Sequence, residues 1–181
     1  MKLACDGTIY SYWEGSHLMM EGLIDLTIRI PPVPEGTYEI RLGFQPGTSP
    51  IQFYFDGKTC GIPVQLATYN GSYNTPIFEN LYPETWSITN VNEDTRILDK
   101  TLKEYGIMRG PDSFKVGNFQ TLRESTIIRY CVSREYLASG VDHYLRIKVI
   151  NSTPDIQHMT IDFLELCPES VYGNSNGEDA H

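Results

Sequence analysis

Long apolar runs are missing from this chain of 181 residues. No stretch approaches the roughly 20 consecutive apolar residues of a helical membrane span, so no membrane span is expected. No apolar segment follows the lone Lys2 either, and the chain is expected to carry no export signal of its own. Positive charge is scarce as well: 14 Lys+Arg against 23 Asp+Glu leave a formal charge of −9. Nucleic acid and anionic membrane both demand net basic faces, so a domain-wide surface for either is excluded. Cysteine is sparse, and Cys5, Cys60, Cys131 and Cys167 lie far apart without CxxC or Cys/His ligand spacing. Zinc is therefore not expected. Buried free thiols and one or two disulfides of an oxidising compartment both remain open.

Motifs that mark catalysis are missing too. There is no G-x-S-x-G elbow, no H-E-x-x-H and no G-x-x-x-x-G-K-[ST] in the chain. His17, His143, His158 and His181 occur singly. Pairing of the last two strands would bring His143 and His158 near each other, but no third ligand stands at suggestive spacing. Exposed strand-end histidines are the simpler reading. Carboxylates are numerous, yet spacing along the chain places no two of them across a cleft for glycoside hydrolysis. The reading is a non-catalytic protein with no metal and no cofactor.

What the chain has in quantity is alternation. In residues 24–30 every even position is apolar and every odd one polar, which puts one face on a core and the other in water. Pro31-Pro32 stops pairing, and Pro34-Glu35-Gly36 reads as a turn. The pattern resumes over 37–44, where Tyr38, Ile40, Leu42 and Phe44 oppose Thr37, Glu39 and Arg41. A third strand covers 51–55, and Asp56-Gly57 is a tight-hairpin dipeptide leading into a return strand over 58–66. Pro63 should make that strand bulge or lie at an edge. Residues 126–132, 143–150 and 159–166 complete about seven strands, with 151–155 as the turn between the last two.

One helix is predicted near 94–105: after Asp94, Ile97, Leu98, Leu102 and Tyr105 keep a 3.6-residue spacing, and Gly106 can end the last turn. Many short strands and a single short helix predict an all-β fold, a two-sheet antiparallel sandwich of jelly-roll type. A single domain is expected over 1–172, with 1–22 the least defined part and 173–181 a polar, flexible tail.

The stretch 67–93 shows no sustained periodicity. Loops of that length in compact domains are uncommon and often functional. It carries Tyr69, Tyr73, Phe78, Tyr82 and Trp86 among Asn70, Asn74 and Asn80. An aromatic ring stacks on the C–H patches of a sugar while neighbouring amides bond its hydroxyls. That makes Tyr69, Asn70, Tyr73, Asn74, Tyr82 and Trp86 the candidate ligand-binding residues. The same rings fit a satellite core that pins the loop to the sandwich, and the two readings stay open.

Two ordered strings carry a family resemblance. They are Ile30-Pro-Pro-Val-Pro-Glu-Gly-Thr-Tyr-Glu-Ile-Arg-Leu-Gly-Phe44 and Gln52-Phe-Tyr-Phe-Asp-Gly-Lys-Thr-Cys-Gly-Ile-Pro-Val64. With Tyr105-Gly-Ile-Met-Arg-Gly-Pro111 and the closing Ile161-Asp-Phe-Leu-Glu-Leu-Cys-Pro-Glu-Ser-Val-Tyr172, the chain resembles the C-terminal β-sandwich region of fasciclin-type surface proteins of Bacteroidetes. More remotely it resembles galactose-binding-like sandwiches, the fold of many carbohydrate-binding modules. Those modules often hold a structural calcium. Asp162 matches one of their ligands, but the acidic pair of their first strand is absent here.

The resemblance implies a setting at the cell surface, outer membrane or outside the cell, with an export signal and a fasciclin domain upstream. It also implies a non-catalytic role in glycan binding or cell adhesion. The alternative is a structural or assembly module packed against a fasciclin domain or a glycan-import partner. Glycan and a surface protein are thus the two expected partners.

Overall fold

In the computed structural model the described residues are 2–5, 16–45, 50–64, 68–69, 72–73, 103–109, 128–150 and 158–172. They form two antiparallel sheets facing each other across one core. The six-stranded sheet runs in the order β1 (Lys2–Cys5), β2 (Ser16–Glu21), β12 (His158–Pro168), β4 (Gly36–Gln45), β10 (Ile128–Leu137), β9 (Ile107–Arg109). The four-stranded sheet runs β3 (Asp25–Ile30), β11 (His143–Val149), β5 (Ile51–Phe55), β6 (Lys58–Val64). A two-residue ribbon, β7 (Thr68–Tyr69) with β8 (Ser72–Tyr73), stands apart, and α1 (Glu169–Tyr172) closes the described chain. Among the described residues no helix is long and apolar enough to cross a membrane.

Alternation builds the core. Tyr38, Ile40, Leu42 and Phe44 from β4 meet Phe53, Phe55, Leu145 and Ile147 from the opposite sheet, all of them buried. Phe53 stacks on Tyr130 of β10 across the gap, ring centroids 5.8 Å apart. Such contact contributes beyond the area it removes from water. Burial pushes the Tyr130 phenol above its ordinary pKa.

The hairpin at Asp56-Gly57 forms as its sequence requires. Both residues have positive φ, 46° and 78°, which matches the twist of the flanking strands. Asp56 does more than turn the chain. Its Oδ1 accepts the Tyr144 N–H at 2.8 Å and its Oδ2 lies 2.7 Å from His143 Nδ1. His143 Nε2 in turn accepts the Ala138 N–H at 3.3 Å, so Nδ1 carries the proton and donates to Asp56. Both ring nitrogens are committed to holding the β10–β11 connection against the hairpin. Pro63 lies in β6, which among the described residues is an edge strand, and the β5–β6 register slips between Ile51 and Phe53.

Several expectations are corrected. The last two strands do not pair: β11 belongs to the four-stranded sheet and β12 to the six-stranded one, so the connection crosses the sandwich. His143 sits beside Asp56 and His158 opposite Glu21, and the two do not form a site. His143, whose side chain is only 11% exposed, is a pinned ring rather than a solvated strand end. The polar face of β4 is covered, with Glu39 and Arg41 2% and 0% exposed. Finally, β1, β2 and β9 add strands that short or irregular patterns concealed, and α1 adds a helical turn after β12. Of that predicted helix, Lys103 and Glu104 are helical and Gly106 ends the turn with φ 78°; residues 94–102 lie outside the described residues.

Gly43 of β4 lies beneath the Phe163 ring of β12, and a methyl there would run into ring carbons. Gly43→Ala should destabilise by about 1–3 kcal/mol in chemical denaturation, the usual cost of overpacking. Gly36→Ala, whose methyl would meet Tyr38 at an ordinary 3.6 Å, should change stability far less.

On the outer face of the four-stranded sheet Arg146 grips Asp25 through two bonds of 2.6 and 2.5 Å. Arg146 holds the Asp25 carboxyl below its ordinary pKa. A depressed folded-state pKa contributes stability above the ordinary value and loses it as pH falls through the depressed one. Arg146→Ala should return the Asp25 titration, followed by NMR, upward toward the ordinary carboxylate range.

Candidate polar cleft on the six-stranded sheet

Three rungs cross the outer face of the six-stranded sheet. Arg129, Gly43 and Phe163 make the first, Cys131, Arg41 and Glu165 the second, and Arg134, Glu39 and Cys167 the third, each running from β10 through β4 to β12. The bulge between Cys131 and Ser133 puts Arg134 on the same face as Cys131, three residues earlier. Were the same residues paired without the bulge, Arg134 would fall opposite Tyr38 and point into the core.

These rungs bring five charges into one chain of alternating sign. Arg134 Nε donates to Glu39 Oε1 at 2.8 Å, and Arg41 Nε donates to Glu39 Oε2 at 2.9 Å. Arg41 Nη1 reaches Glu165 Oε2 at 3.6 Å, and Arg129 Nη1 donates to the same oxygen at 3.4 Å. The side chains of Arg41, Glu39 and Arg129 are 0%, 3% and 4% exposed, whereas Arg134 is 64% exposed. The network thus rises from the covered face of β4 to solvent. Glu39 holds the Arg134 guanidinium above its ordinary pKa, and the same guanidinium lies 5.3 Å over the Tyr172 ring of α1.

At the solvent end lies a cleft of about 280 Å³. The sheet lines it with Glu39, Met108, Cys131 and Arg134, and the turn before β9 with Lys103, Glu104, Tyr105 and Gly106. Gly106 is required twice over. It takes φ 78°, and an added Cβ would lie 3.2 Å from the Cys131 carbonyl oxygen. Its own carbonyl accepts the Cys131 N–H at 2.7 Å, so this turn is clamped on the sheet. Tyr105 beside it is 49% exposed. The cleft therefore combines a carboxylate and a guanidinium that hold each other, two further charges from the turn and one accessible ring. Such a set accepts and donates to neighbouring hydroxyls while offering an apolar face.

Of the sequence-predicted residues, Tyr69 falls in β7 and Tyr73 in β8, where Tyr73 pairs with Thr68. Their side chains, and Asn70, Asn74, Tyr82 and Trp86, lie outside the described residues. Asp162, the match to a calcium ligand, occupies the bulge where β12 slips past β4. Among the described residues no three His, Cys, Asp or Glu side chains converge as a metal site. Cys60, Cys131 and Cys167 are free thiols, and burial pushes the Cys60 thiol above its ordinary pKa.

Sequence reasoning missed Glu39, Arg41, Arg129, Arg134 and Glu165. Their alternation with apolar neighbours reads as a solvent face, and nothing in a period of two says whether a second layer covers it. The one available signal was Glu39 and Arg41 at i and i+2, opposite charges on one side of a strand.

Arg41→Ala should cost about 3–5 kcal/mol, because it leaves the Oε2 of buried Glu39 without its guanidinium. Arg134→Ala, at the exposed end where water can reach the vacated Glu39 Oε1, should cost less, about 1–3 kcal/mol. Urea denaturation of both variants checks the gradient.

Comparison of the chain with protein-family models, with curated proteins and with solved structures gives no significant match in any of the three.

Proposed function

We propose that this protein is a non-catalytic glycan-binding module of a bacterial surface protein, a jelly-roll sandwich of the galactose-binding-like kind. The observation that carries the reading is the cleft in which Glu39 and Arg134 are held rigid by their own ion pair while Tyr105 stands at the rim. Preorganised polar groups cost little to order on binding, which suits a ligand whose many hydroxyls each contribute weakly. At about 280 Å³ the cleft falls just below the usual range for drug-sized ligands, the scale of a single sugar residue or chain end. The aromatic segment 67–93, with Tyr69, Asn70, Tyr73, Asn74, Tyr82 and Trp86, supplies a second candidate surface for the rest of a chain.

A panel of soluble polysaccharides in affinity gels tests the proposal: at least one should retard the protein. Tyr105→Ala should weaken that interaction roughly three- to ten-fold, the worth of one ring contact. Arg134→Ala should weaken it about ten-fold or more through loss of a charge-assisted bond. Retardation sensitive to Trp86→Ala or Tyr82→Ala but not to Tyr105→Ala would move the site to segment 67–93. No retardation by any glycan would overturn the reading.

One observation favours the alternative, a structural module packed on a neighbouring surface domain. Leu23 is 82% exposed and Ile150 43%, and the Val149 N–H bond to the Ile24 carbonyl brings their chain segments together at one end of the sandwich. An apolar end of this kind is suited to a protein neighbour.

A further inference from the structure

The two edges of the four-stranded sheet are built differently. At one edge β6 carries Lys58, a glycine of φ 63° at Gly61, Pro63, and a register slip against β5. Each of these devices blunts an edge against further pairing. At the other edge β3 pairs with β11 without a bulge from Asp25 to Ile30, and it contains neither proline nor glycine. Among the described residues β3 has no second neighbouring strand. Strands of this kind are templates for another strand.

The sequence of this edge is self-complementary. Residues 24–30 read Ile-Asp-Leu-Thr-Ile-Arg-Ile. Run antiparallel to itself about a two-fold axis through Thr27, it sets Asp25 opposite Arg29, Leu26 opposite Ile28, Thr27 opposite Thr27 and Ile24 opposite Ile30. Backbone parity permits this register. The Ile24 carbonyl accepts from Val149 on β11, so the even-numbered backbone groups face β11 and those of Asp25, Thr27 and Arg29 face the open edge. Odd residues then meet odd residues across the axis, in three hydrogen-bonded pairs. Shifting the register by two residues keeps the parity but loses both Asp25–Arg29 contacts.

The faces agree as well. On the outer side Arg146 holds Asp25, and Asp142 holds Arg29 with its Oδ1 at 2.9 Å from Nη2. Pairing would join these into rows running Arg146, Asp25, then Arg29 and Asp142 of the second copy, with signs alternating throughout. On the inner side Leu26 and Ile28, only partly buried in one copy, would cover each other. Leu23 at the start of the strand, 82% exposed, lies beside the same edge.

We propose that β3 is a homodimerisation edge, and that two copies join antiparallel through residues 24–30 into one continuous eight-stranded sheet. The interface is isologous, each half supplying the same strand. Seven residues per copy make a small contact, so the association is reversible and concentration-dependent.

Sedimentation velocity of the whole chain from micromolar to millimolar concentration tests the proposal. The protein should pass from monomer to dimer over that range. Arg29→Asp places Asp25 against an aspartate of the second copy, and Asp25→Arg places two arginines together. Each variant alone should dimerise at least about ten-fold more weakly. An equimolar mixture of the two restores opposite charges at both contacts and should dimerise like the unaltered chain. Thr27→Pro removes an edge N–H that β11 does not use and should leave a folded monomer by circular dichroism. If it fails to fold, the charge variants still decide. A protein monomeric at every concentration, or a dimer indifferent to both charge variants and unrestored by their mixture, would overturn the proposal.

Discussion

Glu39 is a carboxylate shared between two guanidinium groups on the covered face of a central strand, and much of the six-stranded sheet is organised around it. Burying a charge in a low-dielectric layer is costly unless every lone pair finds a donor. Here Oε1 is taken by Arg134 and Oε2 by Arg41, one partner from β10 and one from β4 itself. Glu165 extends the chain to β12 and Arg129 brings it back to β10. The three central strands are thus tied on their outer face by charges and on their inner face by apolar packing. The first sets their lateral register and the second their distance from the opposite sheet.

The same network explains why the candidate cleft is rigid where it needs to be. Side chains that bond a ligand lose rotamer freedom on binding unless they are already held. Glu39 and Arg134 hold each other, the Cys131 N–H anchors Gly106, and Gly106 fixes where Tyr105 stands. Lys103 and Glu104 reach the cleft from the turn before β9. The sheet holds the charges in place and the turn brings the ring, a division of labour common between scaffold and loop.

Much of the scaffold was legible from local patterns. Residues 24–30, 37–44 and 51–55 became β3, β4 and β5 because strict alternation leaves one register in which apolar side chains are all buried. Asp56-Gly57 formed its turn because few dipeptides tolerate two positive φ values. Pro63 lay at an edge because it has no N–H to give a second neighbour. The candidate cleft was far less legible. Its parts come from 39, 103–106, 108, 131 and 134, and only the ladders that β10 makes with β4 and β9 make them neighbours.

The limit of the sequence is physical. Alternation, turn chemistry and proline placement act over a few residues, so by themselves they determined an all-β chain, its main strands and which side of each strand is apolar. Which strands pair depends on contacts between distant residues, and only the tertiary structure decided that β11 and β12 lie in different sheets. It alone decided that the polar side of β4 is buried, since a period of two describes two faces and names the occupant of neither. The bulge in β10 was of the same kind: one extra residue, invisible in composition, turned Arg134 from the core toward Glu39.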